Sequence, residues 1–240
     1  MPSTISADPA GTILLIGASR GLGHAMAAEF LNKGWRVIGT VRGTNRTLLH
    51  DLADAYGDRV EIERLDITEP DQIGALHDRL SGRRFDILFV NAGTANANGN
   101  RDETVAETST EEFVRVMITN ALSPMRVIQG LQDLVASDGT IGVMSSGQGS
   151  VGNNTSGGHE LYRGTKAALN QYMRSYAARH AGEPRALVLM APGWIRTDLG
   201  GPNAPFSIKE AIPKVVNVLL AQRGKPGLRY VDRNGSTVAW

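Results

Sequence analysis

Seven short apolar runs, separated by stretches with helical periodicity, constrain this chain more than any other feature. TILLIG (12–17), WRVIGTV (35–41), RVEIERL (59–65), FDILFVN (85–91), GTIGVMS (139–145), RALVLMA (185–191) and LRYVD (228–232) all have strand length. Several are apolar on both faces, as a parallel sheet covered by helices on both sides requires. The intervening stretches carry helix starts. Ser109-x-x-Glu112 and Ser207-x-x-Glu210 fit capping boxes, and Thr68-Glu69-Pro70 fits a helix opening with proline in its first turn. Such alternation predicts a doubly wound α/β fold, a mostly parallel seven-stranded sheet flanked by helices on both faces. Two Gly/Asn-rich loops, 93–108 and 147–158, each follow a strand's C-terminal end, the edge where open α/β sheets bind ligands.

Composition excludes several other functions. With 240 residues, 41% of them hydrophobic, the chain suits one domain over 1–240 with a substantial core. A formal net charge of +1 argues against nucleic acid or an anionic membrane as partner. The apolar runs fall far short of the roughly 20 residues that span a bilayer. The N-terminal MPSTISADPAGT lacks the basic and apolar regions of a secretory signal, and there is no cysteine for disulfides, thiol chemistry or metal ligation. These features predict a soluble cytoplasmic protein. No His/Asp/Glu cluster has metal-ligand spacing, and no G-x-S-x-G elbow supports a hydrolase.

The first strand runs into GASRGLG, where Gly17, Gly21 and Gly23 alternate with Ser19, Arg20 and Leu22 before a helix. Glycines let the backbone approach a pyrophosphate, and the helix N-terminus offers free N–H groups. The spacing is G-x-x-x-G-x-G, and its placement between strand and helix makes it a dinucleotide-binding turn of Rossmann type rather than a plain tight turn. NAD-selective proteins usually place an acid at the end of the second strand. Here that strand ends Thr40-Val41-Arg42, and a second arginine, Arg20, lies inside the turn. Two guanidiniums suit a ribose 2′-phosphate and predict NADP(H), the alternative being a pair of solvated surface arginines.

Further along, HELYRGTKAALN sets Tyr162 four residues before Lys166, on one face of an expected helix. Alone, that pair reads as an ordinary amphipathic surface. A second helical stretch, EEFVRVMITNALSPMRVIQGL, contains Pro124, which has no N–H for the carbonyl of Asn120. The helix is therefore expected to kink and free that carbonyl.

Together these motifs resemble the short-chain dehydrogenase/reductase family over essentially the whole chain. The order is GASRGLG, Asp66 after the third strand, VNAG at 90–93, Asn120, SSGQGS at 145–150, YRGTK, and PGWIRT at 192–197. The likeness is greatest to a carbonyl-reductase-like subgroup that includes the Sniffer-type reductases and C-factor-like bacterial proteins. The resemblance implies Asn120, Ser146, Tyr162 and Lys166 as catalytic residues, Ser146 being chosen over Ser145 because it precedes GQG. Tyr162 would be the acid/base. Lys166 would lower its pKa and hold the nicotinamide ribose, Ser146 would hydrogen-bond the carbonyl oxygen, and the Asn120 carbonyl would anchor a water in a proton relay. It also implies cofactor contacts from Asp66 and Ile67, from Asn91, Ala92 and Gly93, and from Pro192, Gly193, Ile195 and Thr197.

The Ser-to-Tyr separation is sixteen, longer than in many relatives, because of the loop GSVGNNTSGGHE. Ile16 and Val90 stand where many relatives have Thr and Asn, and they are expected to pack together. Trp194 is expected either to wall the pocket or to fill the core, and His159 is given no role. The predicted activity is hydride transfer between NADP(H) and a ketone, aldehyde or secondary alcohol, in a homodimer or homotetramer. The alternative is a dinucleotide-binding regulatory protein without turnover, since fold alone does not give function. An epimerase or dehydratase would need a larger C-terminal substrate region than this chain offers.

Overall fold

A computed structural model describes residues 9–240. The N-terminal stretch examined for a secretory signal lies mostly outside the described residues. The elements alternate as β1 (Thr12–Ile16), α1 (Gly21–Asn32), β2 (Arg36–Val41), α2 (Leu48–Tyr56), β3 (Val60–Arg64), α3 (Pro70–Leu80) and β4 (Phe85–Val90). Then come α4 (Thr110–Met117), α5 (Ser123–Leu131), β5 (Val135–Met144), α6 (Glu160–Arg179), β6 (Ala186–Ala191), α7 (Ile208–Gln222) and β7 (Gly227–Asp232). The strands form one seven-stranded sheet in the order β3-β2-β1-β4-β5-β6-β7, with every pairing parallel. The order reverses between β1 and β4, so the strand ends there diverge and leave room for a ligand.

Side chains alternate across the sheet and build a core on each face. Ile13, Leu15, Val37 and Phe89 pack against Met26 and Phe30 of α1 and Val215 and Leu219 of α7. Leu14, Ile16, Leu88 and Val90 pack against α3, α5 and α6 through Leu76, Ile128 and Leu169. Ile16 and Val90 are register partners and fully buried, so the two apolar replacements do pack on one another. Neither leaves a polar atom without a partner.

Ser207 follows the sequence reading, and three other local details depart from it. At Ser207 the capping box is complete: its Oγ accepts from Glu210 N, and Glu210 Oε2 accepts from Ser207 N at 2.7 Å. At Ser109 only half of it forms. Ser109 Oγ accepts from Glu112 N, but the Glu112 carboxylate accepts instead from Ala97 N and Arg115. Strand β5 starts at Val135 rather than 139, with a register irregularity against β4 between Phe85 and Ile87. Finally, the break upstream of Pro124 takes the form of a π-helical turn, Ile118–Leu122, with Asn120 at its centre. No helix among the described residues is long and apolar enough to cross a membrane.

Candidate active site

The glycine turn is fastened to strands on either side. Gly17 N donates to Thr40 Oγ1 at 2.9 Å, and Asn91 Nδ2 donates to Gly17 O at 2.9 Å. Gly17 takes φ 86°, and a side chain there would lie 2.9 Å from Ala92 N. At Gly23 a β-carbon would lie 2.6 Å from Asn91 Nδ2 and would fall on the Gly17 carbonyl oxygen. Neither position admits another residue without moving backbone. A β-carbon at Gly21, by contrast, would meet only open space. Helix α1 starts there with no side-chain cap and no acid in its first turn. Its leading N–H groups are thus left for an anion, and the donor set fits a dinucleotide pyrophosphate.

Around this turn the remaining predicted contacts fall at strand ends. Arg42 is exposed just beyond β2. Arg20 is exposed as well, but it forms an ion pair with Asp198 of the segment after β6. Asp66 follows β3, and its Oδ1 accepts from Thr68 N at 3.0 Å and Thr68 Oγ1 at 2.7 Å. Both bonds use a single oxygen. Ile67 is buried among core residues. Asn91 N and Ala92 N both donate to Ile16 O, which keeps the end of β4 against β1.

At the other end, helix α6 carries Tyr162, Lys166 and Asn170 at successive i, i+4 positions, one stripe facing the end of β5. Lys166 is 4% exposed, and its Nζ donates to Met144 O at 3.0 Å. Its ammonium also sits 5.8 Å from the centre of the Tyr162 ring. Burial pulls the lysine down to about 8. Burial likewise pushes the Tyr162 phenol up to about 12, against the pull of the Ser146 hydroxyl beside it. The expected lowering of the phenol by Lys166 is absent: loss of water around the anion dominates, and the Ser146 hydroxyl alone opposes it.

Ser146 is the serine that faces Tyr162. Ser145 is turned away, 2% exposed, with its Oγ donating to Asn170 Oδ1 at 2.6 Å. Ser146 Oγ accepts from Gln148 N at 3.1 Å, so its own proton remains to be donated elsewhere. Asn120 is fully buried, and its side chain makes contacts that no local sequence pattern encodes. Its Oδ1 accepts from Thr94 N at 2.8 Å while its Nδ2 donates to Thr94 O at 2.9 Å and to Thr165 Oγ1 at 3.1 Å. Thr165 Oγ1 in turn donates to Tyr162 O at 2.8 Å. One asparagine thereby joins the loop after β4 to the helix bearing Tyr162. A β-carbon on Gly93 would come 3.3 Å from Asn120 Oδ1 and 3.6 Å from Lys166 Nζ.

The segment after β6 closes the arrangement. Pro192 and Gly193 turn the chain, Ile195 bridges to Phe206, and Thr197 Oγ1 accepts from Gly200 N at 3.0 Å. Trp194 is 44% exposed and donates its indole N–H to Gly200 O, so it is no core filler. Arg101, from the loop after β4, stacks on Trp194 at 4.9 Å and also donates to Gly200 O. Arg101 O accepts from His159 N, and His159 takes the left-handed φ of 52° at the start of α6. Three loops thus meet at Arg101, which the sequence reading did not single out. The 360 Å³ cavity lined by His180, Arg185 and Pro226 lies at the opposite end of the sheet, where β6 and β7 begin. Among the described residues, no group of three or more His, Asp or Glu could hold a metal ion.

Comparison with known proteins agrees with this geometry. Residues 17–217 match the family model described as enoyl-(acyl carrier protein) reductase. A short-chain dehydrogenase/reductase from Burkholderia multivorans, crystallised with bound NADP, is 65% identical, with TM-score 0.94 over 97% of this chain and all of that one. A carbonyl reductase from Pseudomonas aeruginosa PAO1 in complex with NADP is 32% identical, with TM-score 0.87 over 96% of this chain and 99% of that one. Among curated proteins, 1-hydroxy-2-glutathionyl-2-methyl-3-butene dehydrogenase of Rhodococcus sp. (strain AD45) is 30% identical over 78% of this chain and 79% of its own length. With the parallel sheet, the glycine turn and the Ser146–Tyr162–Lys166 grouping, these matches establish that the chain belongs to the short-chain dehydrogenase/reductase family of oxidoreductases.

Proposed function

We propose that this protein reduces a ketone or aldehyde with NADPH, and oxidises the corresponding alcohol with NADP, using Tyr162 as acid/base. The observation that carries this reading is the Ser146 hydroxyl beside the half-buried Tyr162 phenol, with Lys166 one helical turn further on. When bound, NADPH supplies a hydride to the carbonyl carbon.

The chain's own groups hold the substrate and move the proton. Ser146, whose oxygen accepts from Gln148 N–H, donates a hydrogen bond to the carbonyl oxygen and stabilises charge developing there. A phenol pushed up to about 12 is fully protonated near neutral pH, the form needed to protonate an alkoxide. Lys166, held in place by Met144 O, keeps a positive charge near the phenol and reaches toward the nicotinamide ribose. Asn120 fixes Thr94 against the Tyr162 helix, and its own carbonyl, to which Pro124 offers no N–H, would anchor a water that returns protons to Lys166.

For the cofactor, the residues present divide by chemistry. Main-chain N–H groups of Ser19, Arg20, Gly21, Leu22 and Gly23 would hold the pyrophosphate at the uncapped start of α1. Arg42 and Arg20 would hold the 2′-phosphate, Asp66 and Ile67 the adenine, and Asn91, Ala92 and Gly93 would approach the cofactor's ribose. Pro192, Gly193, Ile195 and Thr197 would meet the carboxamide. The NADP in the two solved relatives supports that choice. Phe113, Val114, Leu122 and Tyr172 are 39–45% exposed on α4, the π-helical turn and α6, and this apolar face supports self-association.

Following NADPH absorbance against a panel of ketones and aldehydes tests the activity, with NADH compared by kcat/KM. Turnover with at least one carbonyl and a preference for NADPH are expected. No oxidation with any carbonyl would favour a binding protein without turnover, and equal use of NADH would remove the proposed arginine role.

A further inference from the structure

Ser146 is useful only if its hydroxyl is fixed, yet it stands at a strand end on a short glycine-bounded turn, Gly147–Gly149. Two buried side chains hold that turn from outside the Ser146–Tyr162–Lys166 group. Tyr230, 1% exposed on β7, reaches across the end of β6 and donates its hydroxyl to Ser146 O. The same carbonyl also accepts from Gly149 N at 2.9 Å. Asn170, 3% exposed and one turn beyond Lys166, donates from Nδ2 to Gly149 O at 3.1 Å, while Ser145 Oγ donates to its Oδ1. Both carbonyls bounding the turn are therefore tied, one to the last strand and one to the Tyr162 helix.

At Gly149 the packing leaves no slack. A β-carbon on Gly149 would lie 2.9 Å from both Asn170 Nδ2 and Lys166 Cβ. The chain beyond β7 returns to the same place. Val238 N donates to Tyr230 O, Trp240 packs 5.4 Å from the Tyr230 ring, and Trp240 O accepts from Gly152 N at 2.8 Å. A buried phenol without a partner is costly, so Tyr230 rather than phenylalanine at this position calls for an acceptor, and the acceptor is the backbone of Ser146.

We infer that Tyr230 and Asn170 are positioning residues for Ser146, through which the last strand and the chain following it set the geometry of the proposed carbonyl-binding hydroxyl. This rests on the role proposed above for Ser146. It adds that the serine's efficiency depends on a hydroxyl donated from β7 that touches neither substrate nor cofactor.

The test is a double-mutant cycle read in kcat and KM. Tyr230→Phe keeps the ring and leaves Ser146 O its bond from Gly149 N–H, so folding and NADPH affinity should stay near wild type. Its kcat should fall about tenfold, the effect of one hydrogen bond. In a Ser146→Ala background the same change should cost nothing more, because no hydroxyl remains to be aimed. Unchanged kcat in Tyr230→Phe, or a full tenfold loss added on top of Ser146→Ala, overturns the inference. Ser145→Ala, which releases Asn170, carries the same expectation and the same refutation should Tyr230→Phe not fold. Ser146→Ala alone separates the two ideas: if it is as active as wild type, the underlying catalytic role fails, whatever Tyr230 does.

Discussion

At the glycine-turn end of the proposed site the groups offered to a cofactor are main-chain N–H donors, left open because α1 begins without a side-chain cap. At the Tyr162 end they are side chains, and each is buried or held by a neighbouring group: Lys166 by Met144 O, Asn120 by Thr94 and Thr165, Ser146 by Gln148 N. The first end works by leaving side chains out. The second works by taking ionisable groups out of water, which moves the lysine to about 8 and the phenol to about 12. Backbone donors bind an anion without any titration, whereas a proton-transfer site needs groups with shifted pKa. Substitutions should therefore fail differently at the two ends.

The largest effect is expected from Tyr162→Phe. It removes the only atom proposed to exchange a proton with substrate, so kcat/KM should fall by about 10²–10⁴ with NADPH binding nearly intact. Steady-state kinetics together with a cofactor titration checks this. A variant within a few-fold of wild type would mean that some other group supplies the proton.

Next comes Gly23→Ala at the opposite end, where the added carbon falls on the Gly17 carbonyl. Overpacking against backbone should cost about 3 kcal/mol or less in urea unfolding and should raise KM for NADPH. Any loss of kcat at saturating cofactor should be small. If kcat falls and KM does not, the division of labour between the two ends is wrong.

The same contrast explains what the sequence disclosed. A backbone site is written in glycines, so Gly17, Gly21 and Gly23 between an apolar run and a helical pattern were enough to place the turn that joins β1 to α1. The sheet was equally legible, since strands apolar on both faces admit few other arrangements. The side-chain end was legible only through the local pair Tyr162/Lys166 and through family resemblance. What holds that end spans long sequence distances: Asn120 to Thr94, Tyr230 to Ser146, Arg101 to Gly200. No periodicity encodes such contacts. One local signal did exist, the i, i+4, i+8 stripe that adds Asn170 to Tyr162 and Lys166. The half-made capping box at Ser109 shows the opposite failure, a correct local pattern whose glutamate is taken by Ala97 and Arg115.

A third prediction concerns pH. Lys166 has its folded pKa lowered from 10.5 to about 8, so between those values the unfolded chain binds the extra proton. Stability then rises with pH across this window, and the penalty of the buried charge is fully present below about 8. Tyr162, raised from 10.0 to about 12, acts in the opposite direction only above pH 10. Lys166→Met removes the lysine contribution. The wild-type protein without cofactor should gain about 2 kcal/mol relative to this variant between pH 7 and 9.5, as measured by urea unfolding. A stability difference that stays flat across that range would show that Lys166 is not desolvated.

The smallest effects separate the two arginines. Arg42 is exposed at the end of β2, whereas Arg20 is shared with Asp198 in an ion pair of two exposed side chains. Such a pair contributes roughly 0–1 kcal/mol to stability, so neither Arg20→Ala nor Asp198→Ala should shift the unfolding midpoint appreciably. A 2′-phosphate would compete with Asp198 for the Arg20 guanidinium. Removing Arg42 should therefore raise KM for NADPH by about tenfold with little change for NADH, and removing Arg20 should raise it less. Asp198→Ala should lower it slightly, because Arg20 then has one partner instead of two. If Asp198→Ala raises KM for NADPH instead, the aspartate must help hold Arg20 toward the phosphate, and the exposed ion pair belongs to the binding site.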